Sequence, residues 1–170
     1  MSTVSETQDL RRWEPYVLQY RIEQLMREYC ECIDEDRLED WPRFFSEDGR
    51  YEITTRSNVE RGLPATTLSC QSVGMMRDRV VSLRNANIYG TQLYRHLVTN
   101  INVIDVQSDS VRVQSNYVVV RTLAREGEPR VFSVGRSLDT VVWNGTGLRF
   151  CSRQVIADND RIHTLIVLPI

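Results

Sequence analysis

Lysine is missing from these 170 residues: all 21 cations are arginine. A guanidinium is planar, more weakly hydrated than an ammonium, and suited to burial beside a carboxylate. The bias therefore fits ion pairs and subunit contacts, although a base composition favouring arginine codons would give the same count. Histidine is nearly absent, with only His96 and His163. The net charge of −2 excludes the basic field that draws nucleic acid or acidic lipid. No apolar run approaches the ~20 residues that span a bilayer, and no apolar leader with basic flanks opens the chain. A cytoplasmic protein is expected, with Cys30, Cys32, Cys70 and Cys151 as small core thiols. Cys30 and Cys32 are two apart on an expected helix and do not face one another, which argues against a metal or redox pair. No G-x-G-x-x-G or Walker sequence provides a phosphate cradle, and no G-x-S-x-G presents a nucleophile. The N-G-T at Asn144 matches a glycosylation acceptor, but reads as a hairpin turn.

What is present reads as an α+β domain over residues 1–170, with residues 1–12 a loose extension. Leu18, Ile22, Leu25, Met26, Tyr29, Cys30 and Ile33 recur at spacings of three and four, so a long helix is expected from Pro15. The acidic "DEDRLED" then reads as a solvated connector. A short helix carrying Trp41, Phe44 and Phe45 follows, then a sharp turn at Asp48-Gly49 and a strand. Residues 57–72 read as a Gly/Pro-punctuated loop, and Val73–Asn87 as a third helix with Met76, Val80, Leu83 and also Val81 on its inner side. After Tyr89-Gly90, four β-branched runs are separated by the turn signals "QSDS", "REGEPR" and "NGTG", which makes a meander of long strands. Gly135 inside one of them suggests a bulge or sharp bend. Helices first and strands afterwards imply a strongly curved antiparallel sheet wrapped around the first helix as a cone. The "TLIVLPI" segment is either a last core strand or a tail buried against another subunit.

The segments "DRLEDWPRFFSEDGRYEI", "NVERGL", "MMRDRVVSLRNANIYGTQLYRH" and "TLIVLPI" together resemble the small (β) subunits of aromatic-ring-hydroxylating dioxygenases, nearest the terephthalate, salicylate and anthranilate type. The likeness runs in order from about residue 16 to the end of the sequence, and Asp78 to His96 is its most specific part. It implies a cone-shaped fold of the nuclear-transport-factor-2 type. It also implies assembly with a large (α) catalytic subunit, three of each, the small subunits associating as a trimer. The Rieske iron–sulfur cluster and the mononuclear iron would lie in the large subunit, and this chain would hold no cofactor, no metal and no catalytic residue. The residue count agrees. A Rieske centre needs two His and two Cys, and a facial-triad iron two His and a carboxylate, which two histidines do not supply together. Arg56, Arg79, Tyr94, Arg95 and His96 are the expected interface residues, and the long loop between Arg56 and Arg79 is expected to touch neighbouring subunits.

The same fold leaves an alternative, a stand-alone dehydratase- or isomerase-like enzyme using the cone pocket. Asp34, Tyr51 and His96 could converge on a cavity there, with a buried carboxylate as general base.

Overall fold

The first helix is set by its apolar stripe. Every one of the seven stripe residues is buried in α1 (Pro15–Asp34), and Pro15 occupies the first turn, where a missing N–H costs no hydrogen bond. The helix stops in a Schellman motif. Asp36 takes a left-handed φ of 56°, Asp36 N–H donates to Ile33 O (3.0 Å) and Arg37 N–H to Cys32 O (2.8 Å). The structure is a computed structural model and describes residues 9–85, 92–159 and 168–170. Residues 9–12 are not a loose extension: Leu10 is fully buried and its N–H donates to Ser108 O at 2.9 Å.

Past the connector the aromatic hinge is a 3₁₀ turn, Trp41–Phe44, and Phe45 already begins β1 (Phe45–Thr55). The expected turn at Asp48-Gly49 is instead an irregularity within β1, between Phe45 and Arg50. Gly49 is needed there, because a Cβ would stand 2.6 Å from Phe45 Cβ and 2.7 Å from Ser46 O. The expected loop after β1 contains α2 (Arg56–Glu60) and β2 (Leu68–Cys70), and α3 spans Val73–Asn85, with Met76 and Val80 buried but Val81 on the exposed side, one residue (about 100°) round the helix from Val80. Asn87, Tyr89 and Gly90 lie outside the described residues. The four long strands are β3 (Gln92–Val106), β4 (Ser110–Leu123), β5 (Pro129–Trp143) and β6 (Leu148–Ala157).

These strands form one six-stranded sheet in the order β2-β1-β6-β5-β4-β3. It is mixed rather than wholly antiparallel, because β1 runs parallel to β6. Three hairpin-linked reversals make β6 run opposite to β3, and β6 lies beside β1 in β1's own direction. Gly135 answers to close approach rather than to a bulge: a Cβ there would lie 2.1 Å from Ile156 O. The register breaks of β5 sit elsewhere, opposite Val119/Val120 and at Thr140/Val141.

Helix α1 lies against the sheet, and the core gathers around its inner stripe. Tyr29 stands edge-on to Phe44 (5.8 Å) and Phe150 (5.5 Å), and Trp41 edge-on to Tyr51 (5.2 Å) and Phe45 (5.9 Å). Such pairs add ~0.5–1.5 kcal/mol each beyond their buried area. The polar ends are satisfied: Trp41 Nε1 donates to Tyr29 Oη (3.2 Å), and both tyrosine hydroxyls donate to Ile170 O (3.1 Å each). Burial pushes both phenols well above their usual pKa. Ile170 is itself buried, while residues 164–167 of "TLIVLPI" lie outside the described residues.

Candidate functional site

The end of α1 meets the strand β3 at one polar contact. Asp34, the last residue of the helix, accepts the backbone N–H of His96 on Oδ2 (3.0 Å), and its Oδ1 lies 2.6 Å from His96 Nδ1. Both side chains are almost wholly buried, at 5% and 2% exposure. The "DEDRLED" run is therefore not uniformly solvated. Its first carboxylate is dry and spent on β3, whereas Asp36 and Glu39 stay at the surface, held by the guanidinium fork of Arg84. That fork holds the Glu39 carboxyl down at about 2.

A groove of about 730 Å³ opens beside this contact, walled by Met26, Cys30, Val98 and Ile101 as well as by Asp34 and His96. Asp34 fixes the imidazole through Nδ1, which is how a base is oriented in many enzymes. The other nitrogen decides the chemistry. His96 Nε2 is sealed from solvent and has no hydrogen-bond partner. A lone pair that no water-sized molecule reaches does not take a proton from a substrate in this arrangement. The third member of the expected set does not join: the hydroxyl of Tyr51 is occupied by Ile170 N (2.8 Å) and Ile170 O (3.1 Å).

Deeper in the cone sits a second polar group, which sequence reasoning did not single out. Asp139 and Arg153 are direct cross-strand partners on β5 and β6, and Arg153 Nη1 donates to Asp139 Oδ2 at 2.9 Å. The guanidinium lies over Tyr29 (4.5 Å to the ring centre) and Phe150 (5.0 Å), and also reaches Met26 Sδ (3.3 Å). Ser137 donates to the same carboxylate oxygen (3.1 Å). Burial raises the Asp139 carboxyl to about 6, outweighing the pull of Arg153 and Ser137. This ion pair occupies the interior that a substrate would need. The same cause makes two α1 thiols unreactive: burial pushes Cys30, beside the pair, up to about 12 and Cys32, at the helix end, to about 11.

No group of three or more His, Cys, Asp or Glu is arranged to hold a metal ion among the described residues. His163 lies outside them.

Strand alternation divides the expected interface residues. Arg95 is 67% exposed and lies 3.5 Å from Glu35 Oε1, while Tyr94 and His96 point inward and are buried. Tyr94 and His96 therefore do not share an exposed patch with Arg95. Arg56 is exposed and paired with Asp158 (2.8 Å), and Arg79 is half-buried on α3. The outer face of the sheet shows what the expected set missed. Leu97, Val118 and Val134 are aligned across β3, β4 and β5, and Val120 and Val131 are paired in the next row. Leu93, Leu97, Val131 and Val134 are exposed apolar side chains of this face. The unbroken "YVVV" at residues 117–120 was the available signal, since a strand apolar on both faces loses its alternation.

Residues 18–154 match the SnoaL-like domain family. The chain is 42% identical to the anthranilate 1,2-dioxygenase small subunit of Burkholderia cepacia, covering 96% of this chain and 98% of that one. It is 32% identical to subunit beta 2 of the terminal oxygenase component of terephthalate 1,2-dioxygenase from a Comamonas species, over 84% and 92% of the two chains. Among solved structures, one assigned to the beta subunit of an aromatic-ring-hydroxylating dioxygenase from Novosphingobium aromaticivorans superposes with a TM-score of 0.83 at 38% identity, covering 91% of this chain and 98% of that one.

Proposed function

The chain belongs to the SnoaL-like domain family and, within it, to the small subunits of aromatic-ring-hydroxylating dioxygenases, and from this we propose that it is the small, non-catalytic subunit of an oxygenase acting on an aromatic carboxylate. The observation that carries this reading is the 42% identity to a named small subunit over nearly the full length of both chains. The chain's contribution is shape: it supports a large catalytic subunit, to which the Rieske cluster and mononuclear iron belong. We read the assembly as three large and three small subunits, with the small subunits trimeric, working in the cytoplasm. Four free thiols are in keeping with a reducing compartment.

The outer sheet face around Leu97, Val118 and Val134 is our candidate for a subunit contact, since a contiguous exposed apolar patch marks an interaction site. Arg56, Arg79 and Arg95 are candidates for a polar rim. The enzyme alternative has one observation in its favour, the Asp34–His96 contact, and two against it: a sealed Nε2 and an interior taken up by Asp139 and Arg153.

The test is co-expression with the large subunit of an aromatic-ring-hydroxylating dioxygenase of the same type. A single species containing both chains on size exclusion is expected, with all iron lost when the large subunit is omitted. Two independent peaks, or iron and turnover in the isolated small chain, would overturn the reading.

A further inference from the structure

A second groove, of about 420 Å³, lies on the side of the cone away from β3, between α1, the 3₁₀ turn and the β5–β6 hairpin. Its flat walls are Trp13, Phe44 and Trp143, the two indoles meeting edge to face at 5.5 Å. Three guanidiniums line it from three different elements: Arg21 from α1, Arg43 from the 3₁₀ turn and Arg149 from β6.

The hydrogen bonding in this groove is unbalanced. Three guanidiniums stand against two carboxylates: Asp40 is paired with Arg43 (2.8 Å), and Glu28 accepts one N–H, from Gln24 Nε2 (3.0 Å). Arg21 has no hydrogen bond or ion pair among the described residues, and Arg149 spends only one N–H, on Leu148 O (2.8 Å). Gly147 leaves room for that side chain, since a Cβ there would stand 2.9 Å from Arg149 Nη1. The unspent capacity is donors of positive charge beside aromatic faces. The complement is an acceptor anion carried on a flat apolar body, and the volume falls within the ~300–1,000 Å³ of small-molecule sites.

We infer that this groove binds a small single-ring aromatic carboxylate, its ring against Trp13, Phe44 and Trp143 and its carboxylate on Arg21 and Arg149. The inference goes beyond the subunit role and stands on this chain's own residues.

The test uses the full chain, without a partner, so its outcome is separate from that of the co-expression experiment. Two of the three tryptophans line the groove, and the third, Trp41, is fully buried in the core. Titration with benzoate is expected to change the tryptophan fluorescence saturably, whereas acetate, which has no ring, and benzyl alcohol, which has no charge, do not saturate over the same range. Arg21→Ala, on the exposed face of α1, is expected to weaken benzoate binding about tenfold, the loss of one charge-assisted hydrogen bond. Arg149→Ala should do the same, and Arg125→Ala, in the β4–β5 turn, should leave it unchanged. A linear response to benzoate, equal binding of acetate or benzyl alcohol, or wild-type affinity in Arg21→Ala would overturn the proposal. If Arg149→Ala disturbs the hairpin, Arg21→Ala decides alone.

Discussion

Asp139 and Arg153 face each other across β5 and β6 at 2.9 Å, with side-chain exposures of 0% and 3%. Two charges dried out in this way depend on each other. Asp139→Leu leaves the buried guanidinium without the acceptor that Asp139 provides in either protonation state, and is expected to cost about 3–5 kcal/mol in urea unfolding. Replacing both, as Asp139→Leu with Arg153→Met, is expected to recover most of that loss, because an ion pair and a well-packed apolar pair are close in free energy. A double variant as unstable as the single one would contradict this.

The same carboxyl sets a pH dependence. Its folded pKa, about 6, lies above the ordinary 3.8, so between these values the folded chain holds a proton that the unfolded chain has lost. The contribution of Asp139 to stability is therefore greatest below pH 3.8, falls as pH rises to about 6, and is flat above that. The unfolding free energy of wild type minus that of Asp139→Asn should show this slope. A difference curve rising across the window would mean that Arg153, not burial, governs the group.

At the helix–strand contact, Asp34→Ala removes the acceptor for both the His96 N–H and its ring. A loss of about 1–3 kcal/mol is expected, with faster amide exchange along β3 around Tyr94–Val98. Turnover per assembled oxygenase should stay at the wild-type level. Lost turnover with intact assembly and iron content would restore the enzyme reading.

On the outer sheet face, Leu97→Asp and Val131→Asp alter side chains that are 49% and 64% exposed. The isolated chain should unfold within about 0.5 kcal/mol of wild type, as surface substitutions generally do. Recovery of the complex with the large subunit should fall sharply. Undiminished recovery would remove this face from the assembly.

Gly135→Ala is expected to destabilise by about 1–3 kcal/mol or more, since the added methyl would meet a backbone oxygen that cannot swing aside. A melting temperature equal to wild type would refute the close approach.

Much of this architecture was legible in the residues. Leu18 to Ile33 repeat at helical spacing and every one of them is buried. The turn signals fall between the four long strands as expected. What was not legible depends on partners far along the chain. Nothing near Asp34 separates it from its exposed acidic neighbours, because its burial comes from a strand 62 residues away. Asp139 and Arg153 look like ordinary polar positions of two strands until the register sets them opposite one another. Tyr94 and His96 were expected at an interface with Arg95, although alternation assigns them the opposite face. The parallel pairing of β1 carries no local signal, since it follows from topology rather than from any turn.

That pairing constrains how the chain is made. Phe45 and Phe150 sit side by side, yet roughly a hundred residues separate them along the polypeptide, and contacts this distant are slow to form. During synthesis β1 emerges early and waits for β6, its edge toward that strand unpaired until most of the polypeptide has left the ribosome. An interval this long with a strand edge unprotected favours making the subunit where chaperones, or a large subunit already folded, stand close by.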